Sequence, residues 1–212
     1  MNVRAIIHLM SFVVMVVGAA MSGCAWIGRF YGDPDSAVHA LALSGGFWVG
    51  VSLVAWALSR GQMDLSRRDG FGIVTLSWLV LGGVGAFPYV ASGVIPRPID
   101  ALFESVSGFT TTGASVLTQL EQVPRGILFW RALTHFFGGM GVLVLCVAIL
   151  PILGTGGMQL FRAEMPGPSK DRLTPRIATT AKLLWGVYVV LCVLEVLLLR
   201  LGGMSWFDAW CH

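Results

Sequence analysis

Charge is scarce in this chain. Lys, Arg, Asp and Glu together make up 12% of its 212 residues, about half the share found in a soluble domain. That shortage excludes an ordinary solvated globular surface and leaves no residues for a separate soluble domain. Cysteine is also sparse. Cys24, Cys146, Cys192 and Cys211 are scattered, without a CxxC pair, so neither a disulfide framework nor a zinc site is readable. They are expected to act as small apolar side chains. An enzyme would need a nucleophile beside a base, or a cluster of metal ligands. Neither is visible, because the threonines and serines near Glu104 lack a histidine at useful spacing. No enzymatic activity, organic cofactor or nucleic-acid partner is expected. The net charge of +3 says little by itself, since its distribution along the chain matters more than its sum.

What the sequence has is apolar length. Hydrophobic residues make up 56% and the mean hydropathy is +0.78. The apolar residues come in blocks near the roughly 20 that a membrane-spanning helix needs. Five spans are predicted: Val3–Ile27, Ala37–Leu58, Phe71–Ser92, Ile127–Leu150 and Ile177–Leu199. Arg4 and the run ending "AAMSGCAW" resemble a lipoprotein signal with Cys24 as acceptor. The run is long enough to span, however, and an uncleaved first helix is expected.

The connections between spans alternate in charge. "SRGQMDLSRRDG" and "RAEMPGPSKDRLTPR" are basic, whereas "YGDPDS" and residues 93–125 are neutral or acidic. Basic loops stay in the cytoplasm. The N-terminus is therefore expected inside and residues 93–125 outside. The loop from Thr155 to Arg176 reads as a solvated connection, with contact to a cytoplasmic partner as the alternative.

One external stretch is too polar for its setting. "ALFESVSGFTTTGASVL", Ala101–Leu117, carries a carboxylate, three consecutive threonines and two glycines. Pro98–Gly108 reads as a helix with Pro98 in its first turn, Asp100 near the N-terminus and Gly108 at its end. Ile99, Leu102, Phe103 and Val106 mark one apolar stripe along it. At ~1.5 Å per residue it is about 16 Å long, and a hydrocarbon core is about 30 Å thick. A half-helix that enters the membrane, stops and is followed by an irregular climbing segment is the expected geometry. Such backbone is tolerated only where protein buries it or where it lines a watery cavity. The helix would aim its negative pole at that cavity, where a cation is favoured. Thr111, Thr112 and Gly113 then supply hydroxyl and carbonyl oxygens, and rings of such oxygens replace an ion's hydration shell.

The pattern partly recurs. "LSWLV" around Trp78 matches "LLWGV" around Trp185, and Asp100-Ala101 matches Asp208-Ala209. A second half-helix is predicted to begin near Ser205. Weak internal repeats of this kind are frequent in transporters. One loop cannot encircle an ion, so the chain reads as part of a longer polypeptide.

"FESVSGFTTTGAS" followed by "FWRALTHFFGGMG", with "GGMSWFDAWCH" downstream, resembles the TrkH family of the Trk/Ktr/HKT superfamily, the membrane subunits of bacterial potassium uptake systems. The resemblance implies an all-α integral membrane fold. Residues 1–69 would hold two extra N-terminal helices and 70–151 the first helix–pore–helix unit. Residues 152–212 would hold a cytoplasmic loop, the next spanning helix and the start of a second pore helix. It implies potassium as the transported substrate, with Thr111 and Thr112 lining its path and Gly113 as the filter glycine. It implies a location in the bacterial inner membrane, and further partners: the bilayer, the remaining repeats, a second copy in a homodimer and a cytoplasmic nucleotide-binding TrkA-type gating ring. The alternative is a truncated membrane remnant or scaffold without transport of its own.

Other residues carry narrower expectations. Glu104 either adds field to the filter entrance or hydrogen-bonds the loop backbone, and the second is expected. Arg131 is expected to pair with Glu195, Lys182 to snorkel, and His8 and His39 to pack. The glycines of "GGMG" at 138–141, and Gly82, Gly83 and Gly85, are expected at close helix contacts.

Overall fold

The structure, a computed structural model, describes residues 2–61, 67–153 and 173–212. It is all-helical. Helix α1 covers Val3–Tyr31, α2 Asp35–Leu58, α3 Arg67–Ala91 and α4 Pro98–Phe109. A 3-10 turn at Leu120–Gln122 precedes α5, Arg125–Leu153, followed by α6, Leu173–Leu201, and α7, Trp206–Cys211. Among the described residues, four helical segments are long and apolar enough to cross a membrane: Val3–Tyr31, Asp35–Leu58, Gly72–Ala91 and Thr179–Leu201. Each of these overlaps one predicted span. The remaining predicted span, 127–150, falls within the 29 residues of α5. The loop read as a solvated connection lies mostly outside the described residues, as does the side chain of Cys146. Cys24 is buried, and Cys192 and Cys211 are half-buried.

The chain forms two compact units, one reaching to Phe136 and the other running from Phe137. The first unit begins with an antiparallel hairpin. α1 runs four residues beyond its predicted end, to Tyr31, and is closed by Gly32 in the left-handed region at φ +79°. The amides of Gly32 and Asp33 donate to the carbonyls of Arg29 and Gly28, which reverses the chain into α2. Gly18 and Gly45 let the two helices approach until backbone meets backbone. A Cβ on Gly45 would lie 2.6 Å from the Gly18 carbonyl oxygen.

At its open end the hairpin is tied to α3, where the Asn2 amide donates to Asp69 at 2.9 Å. His8 stacks on Trp56 and its Nδ1 lies 3.2 Å from the Ser59 hydroxyl, the packing role expected of it. His39, expected to pack as well, is exposed. α4 then lies against α3 through small residues: a Cβ on Gly82 would meet Val106, and one on Gly85 would meet Ser105 and Phe109. Gly83 faces open space, so only two of these three glycines serve the contact. In the second unit, Gly139 of the "GGMG" stretch makes room for the Tyr188 ring. Lys182 is exposed.

Candidate functional site: the half-helix and its return loop

α4 has 12 residues, a length of roughly 18 Å. Pro98 occupies its first turn, where a missing amide costs nothing, and Asp100 puts an acid there. It buries Ala101, Glu104, Ser105, Ser107, Gly108 and Phe109, a face of small and polar residues apart from the Phe109 ring at its end. Most of the predicted apolar stripe points away from the unit's interior, with Val106 at its end lying against Gly82. Ile99 is 63% and Phe103 49% exposed. The periodicity is legible in the sequence, yet the protein-facing side is the other one. Close packing on α3 and α5 selects small side chains along most of the helix, Phe109 at its end excepted, and Ile99, Leu102 and Phe103 are left outward.

Gly108 does not end the helix. α4 continues to Phe109, with Thr110 at its C-cap. Gly108 is instead a point of contact with α5, where any Cβ would run into the Thr134 side chain. The turn after α4 is made by Thr111 and Gly113, with φ of +55° and +77°. Glycine adopts that region freely, whereas a β-branched threonine there is a strained outlier. Among the described residues, Thr111 is the one non-glycine residue with positive φ. With Thr112 between them on the ordinary side, φ alternates in sign over three residues. Such alternation can turn successive carbonyls to one side of the chain.

The surrounding structure holds that strained loop in place. The amides of Thr110, Thr111 and Thr112 donate to the carbonyls of Val106, Gly108 and Ser107 at 2.8–2.9 Å. The Ser107 hydroxyl donates to the Ala114 carbonyl at 2.6 Å. The Thr110 hydroxyl donates to Val106 O and lies 2.8 Å from that of Thr112. The last-turn carbonyls of α4 are thus partly used by the loop itself. Thr111, Thr112 and Gly113 are all exposed.

Behind the loop stands a buried charge. Glu104 is 1% exposed. Its Oε1 accepts from Arg131 Nε at 2.7 Å. Its Oε2 accepts from the Val116 amide at 2.8 Å. The Ser115 hydroxyl reaches both oxygens at 2.9 and 3.0 Å. The loop-binding role expected for Glu104 is therefore present. Arg131, expected to pair with Glu195, pairs with Glu104. A carboxylate taken out of water needs a charged partner and hydrogen bonds at its remaining lone pairs, and the fourth span brings Arg131 to the place where both are supplied. Sequence spacing does not show this, because Glu104 and Arg131 are 27 residues apart on different helices.

α5 is the wall on which these parts rest. Trp130 is wholly buried, with its Nε1 donating to the Gly85 carbonyl at 3.1 Å and its ring edge-on to Phe109. Thr134, which limits position 108, donates to the Arg131 carbonyl, and His135 Nδ1 lies 3.0 Å from the same atom. The parts played by Ser107, Ser115, Trp130 and Thr134 go beyond the sequence reading. The two serines are visible in the polar stretch, but their partners are not.

A family model described as TrkH, cation transport protein, matches residues 41–211. The chain belongs to the TrkH family. The Trk system potassium uptake protein TrkH of Salmonella typhimurium is 46% identical across the whole chain, which covers 44% of that relative. The TrkG protein of Escherichia coli is 40% identical with the same coverage. A crystal structure of the potassium transporter TrkH from Vibrio parahaemolyticus superposes with a TM-score of 0.84 at 37% identity, over 100% of this chain and 42% of that one. The chain thus spans less than half the length of these TrkH-family relatives.

Proposed function

We propose that the chain supplies the first wall of a potassium-conducting pore, with Thr111, Thr112 and Gly113 facing the ion. The observation that carries this reading is the return loop. It is exposed and oxygen-rich, its φ alternates in sign across Thr111 and Gly113, and it hangs from a helix too short to span. Relatives named as potassium uptake proteins align across its whole length. Exposed hydroxyls and carbonyls are hard donors suited to a dehydrated monovalent cation. One loop gives one side of such a cage, so the other sides come from further units of the same kind in a complete subunit. The outward apolar stripe of α4 and the exposed flank of α6 are surfaces that such units would cover. By the charge asymmetry of its connections the N-terminus is cytoplasmic. We assign the assembled transporter to the bacterial inner membrane, as a homodimer gated by a TrkA-type ring, a reading that the chain's membership of the TrkH family supports.

The test is potassium-limited growth of a strain lacking other uptake systems, with a full-length transporter that carries this sequence. Gly113→Arg is expected to abolish uptake, since an added side chain is strained at φ +77° and its charge repels the cation. Thr118→Ala, beyond the loop, is expected to do far less. Normal growth with Gly113→Arg at equal expression would remove the loop from the ion path.

A further inference from the structure

The N-terminal end of α5 has an unusual cap. A helix begins with amides that have no partner inside it, and the residue at the N-cap normally offers a side-chain oxygen to them. Here Pro124 precedes Arg125, and its carbonyl already accepts from the Leu128 amide at 3.0 Å. Proline has no side-chain acceptor. The oxygens come instead from Asp33, more than 90 residues earlier in the chain. Its Oδ1 accepts from the Arg125 amide at 2.9 Å and its Oδ2 from the Gly126 amide at 2.7 Å.

Asp33 sits in the turn of the N-terminal hairpin, and that turn is fixed. Gly32 is left-handed and the Asp33 amide is bonded back to Gly28. Around it the two elements touch at backbone distance. A Cβ on Gly126 would lie 2.9 Å from the Cys24 carbonyl oxygen and 3.2 Å from the Gly28 Cα. The Arg125 guanidinium lies over the Tyr31 ring at 4.8 Å. One and two turns further along, α5 presents Trp130, Arg131 and Thr134, which hold α3, Glu104 and Gly108.

We propose that Asp33 is a positioning residue of the ion path. It caps α5 from outside that helix's own sequence neighbourhood. It thereby ties the N-terminal hairpin, which lies outside the repeat, to the helix that anchors the return loop through Arg131 and Glu104. The carboxylate is favoured at the positive end of α5, so charge and hydrogen bonding act together. The part of this inference that concerns ions rests on the function proposed above, whereas the tie itself does not.

Two readouts separate the two. In a full-length transporter carrying this sequence, Asp33→Ala is expected to raise the KM for potassium about fivefold, with Vmax per inserted molecule little changed. That factor corresponds to the ~1 kcal/mol lost with an N-cap acceptor, for a binding-competent loop that is the minority state before potassium binds, so that its population falls in the same ratio. Asp33→Asn keeps one acceptor and should give a smaller rise; it also serves as the variant to read if Asp33→Ala does not insert. The double variant Asp33→Ala with Pro124→Asp restores a local cap but not the tie, and its KM should stay raised. An unchanged KM in Asp33→Ala, or full restoration by Pro124→Asp, would overturn the proposal. The second readout is amide exchange at Arg125 and Gly126, which requires no transport. Exchange is expected to accelerate in Asp33→Ala. Unaltered exchange sinks the tie even if Gly113→Arg has already shown that the loop carries no ion.

Discussion

Twice the chain turns from a long helix into a short one, and the two turns are built alike up to a point. α3 ends at Ala91, Gly93 turns left-handed at φ +74°, and the Ile95 amide returns to the Tyr89 carbonyl at 3.1 Å. α6 ends at Leu201, Gly203 turns left-handed at φ +97°, and the Met204 amide returns to the Leu199 carbonyl at 3.2 Å. Each short helix then has an aspartate in its first turn, Asp100 or Asp208, next to a fully buried alanine, Ala101 or Ala209. The repeat suggested by a few matching letters is thus a repeat of geometry. A left-handed glycine closes the long helix, and an acid and a small residue open the short one.

Beyond that point they differ. The position corresponding to Glu104, counted from the paired aspartates, is His212. The buried carboxylate that grips the first loop is therefore not a general feature of the repeat. It belongs to the first unit, together with Arg131. The shared features serve the reversal of the chain and its packing. The unshared one serves the loop.

Removing the unshared feature should have the largest effect. Glu104→Ala strands Arg131, whose side chain is only 21% exposed, and releases the Val116 amide. Breaking a buried pair from one side costs about 3–5 kcal/mol, so the variant should insert poorly or unfold at a much lower temperature. Glu104→Gln keeps an acceptor for Val116 and loses the charge, and should fall between. Thermal unfolding of the purified protein measures both. Unfolding of Glu104→Ala at the wild-type temperature would mean that the loop is held by Ser107 and the α4 carbonyls alone.

Small residues at the contact of the half-helix come next. Gly85→Ala and Gly108→Ala drive a methyl group into Ser105 and Thr134 respectively, and overpacking of this kind costs about 1–3 kcal/mol. Gly83→Ala, two residues from Gly85 but facing open space, should be neutral or slightly stabilising, because alanine is the better helix former. Equal effects at 83 and 85 would mean that helix propensity, not contact, governs α3.

Much of this is legible in the sequence, and the parts that are not share a cause. Spans, half-helix, loop and repeat are local patterns of length, period and punctuation, and they appear close to where the letters put them. Pairing is not local. The partner of Arg131, the outward turn of the Ile99–Val106 stripe and the cap of α5 by Asp33 each depend on which helix lies beside which. A sequence period reveals that a helix has two faces and leaves open which of them meets protein when lipid or a further repeat is the alternative. Gly108 departs from its expected role for a related reason. A glycine near a helix end fits a C-cap and a close crossing equally well, and Thr134, which decides between them, lies on another helix.

The smallest expected effect lies in the caps, where the two short helices again part. α7 is capped conventionally. The Asp208 amide donates to the Ser205 hydroxyl at 3.1 Å, and that hydroxyl lies 2.6 Å from the Asp208 carboxylate. α4 has Arg97 at the same position, with no side-chain hydrogen bond to its open amides. Arg97 reaches Asp100 at 3.5 Å, but its side chain is 76% exposed, and an exposed pair of that kind contributes little. Ser205→Ala should therefore lower stability by about 1 kcal/mol, whereas Arg97→Ser should raise it by a similar or smaller amount. Arg97→Ser supplies an oxygen where backbone of extended conformation, φ −85° and ψ 119°, already suits an N-cap. Chemical or thermal unfolding of the two variants against the parent decides the matter. Opposite signs would establish that the first short helix is held by its neighbours and not by its own cap. A loss of stability in Arg97→Ser would show that Arg97 contributes at the start of α4 in a way its exposed geometry does not suggest.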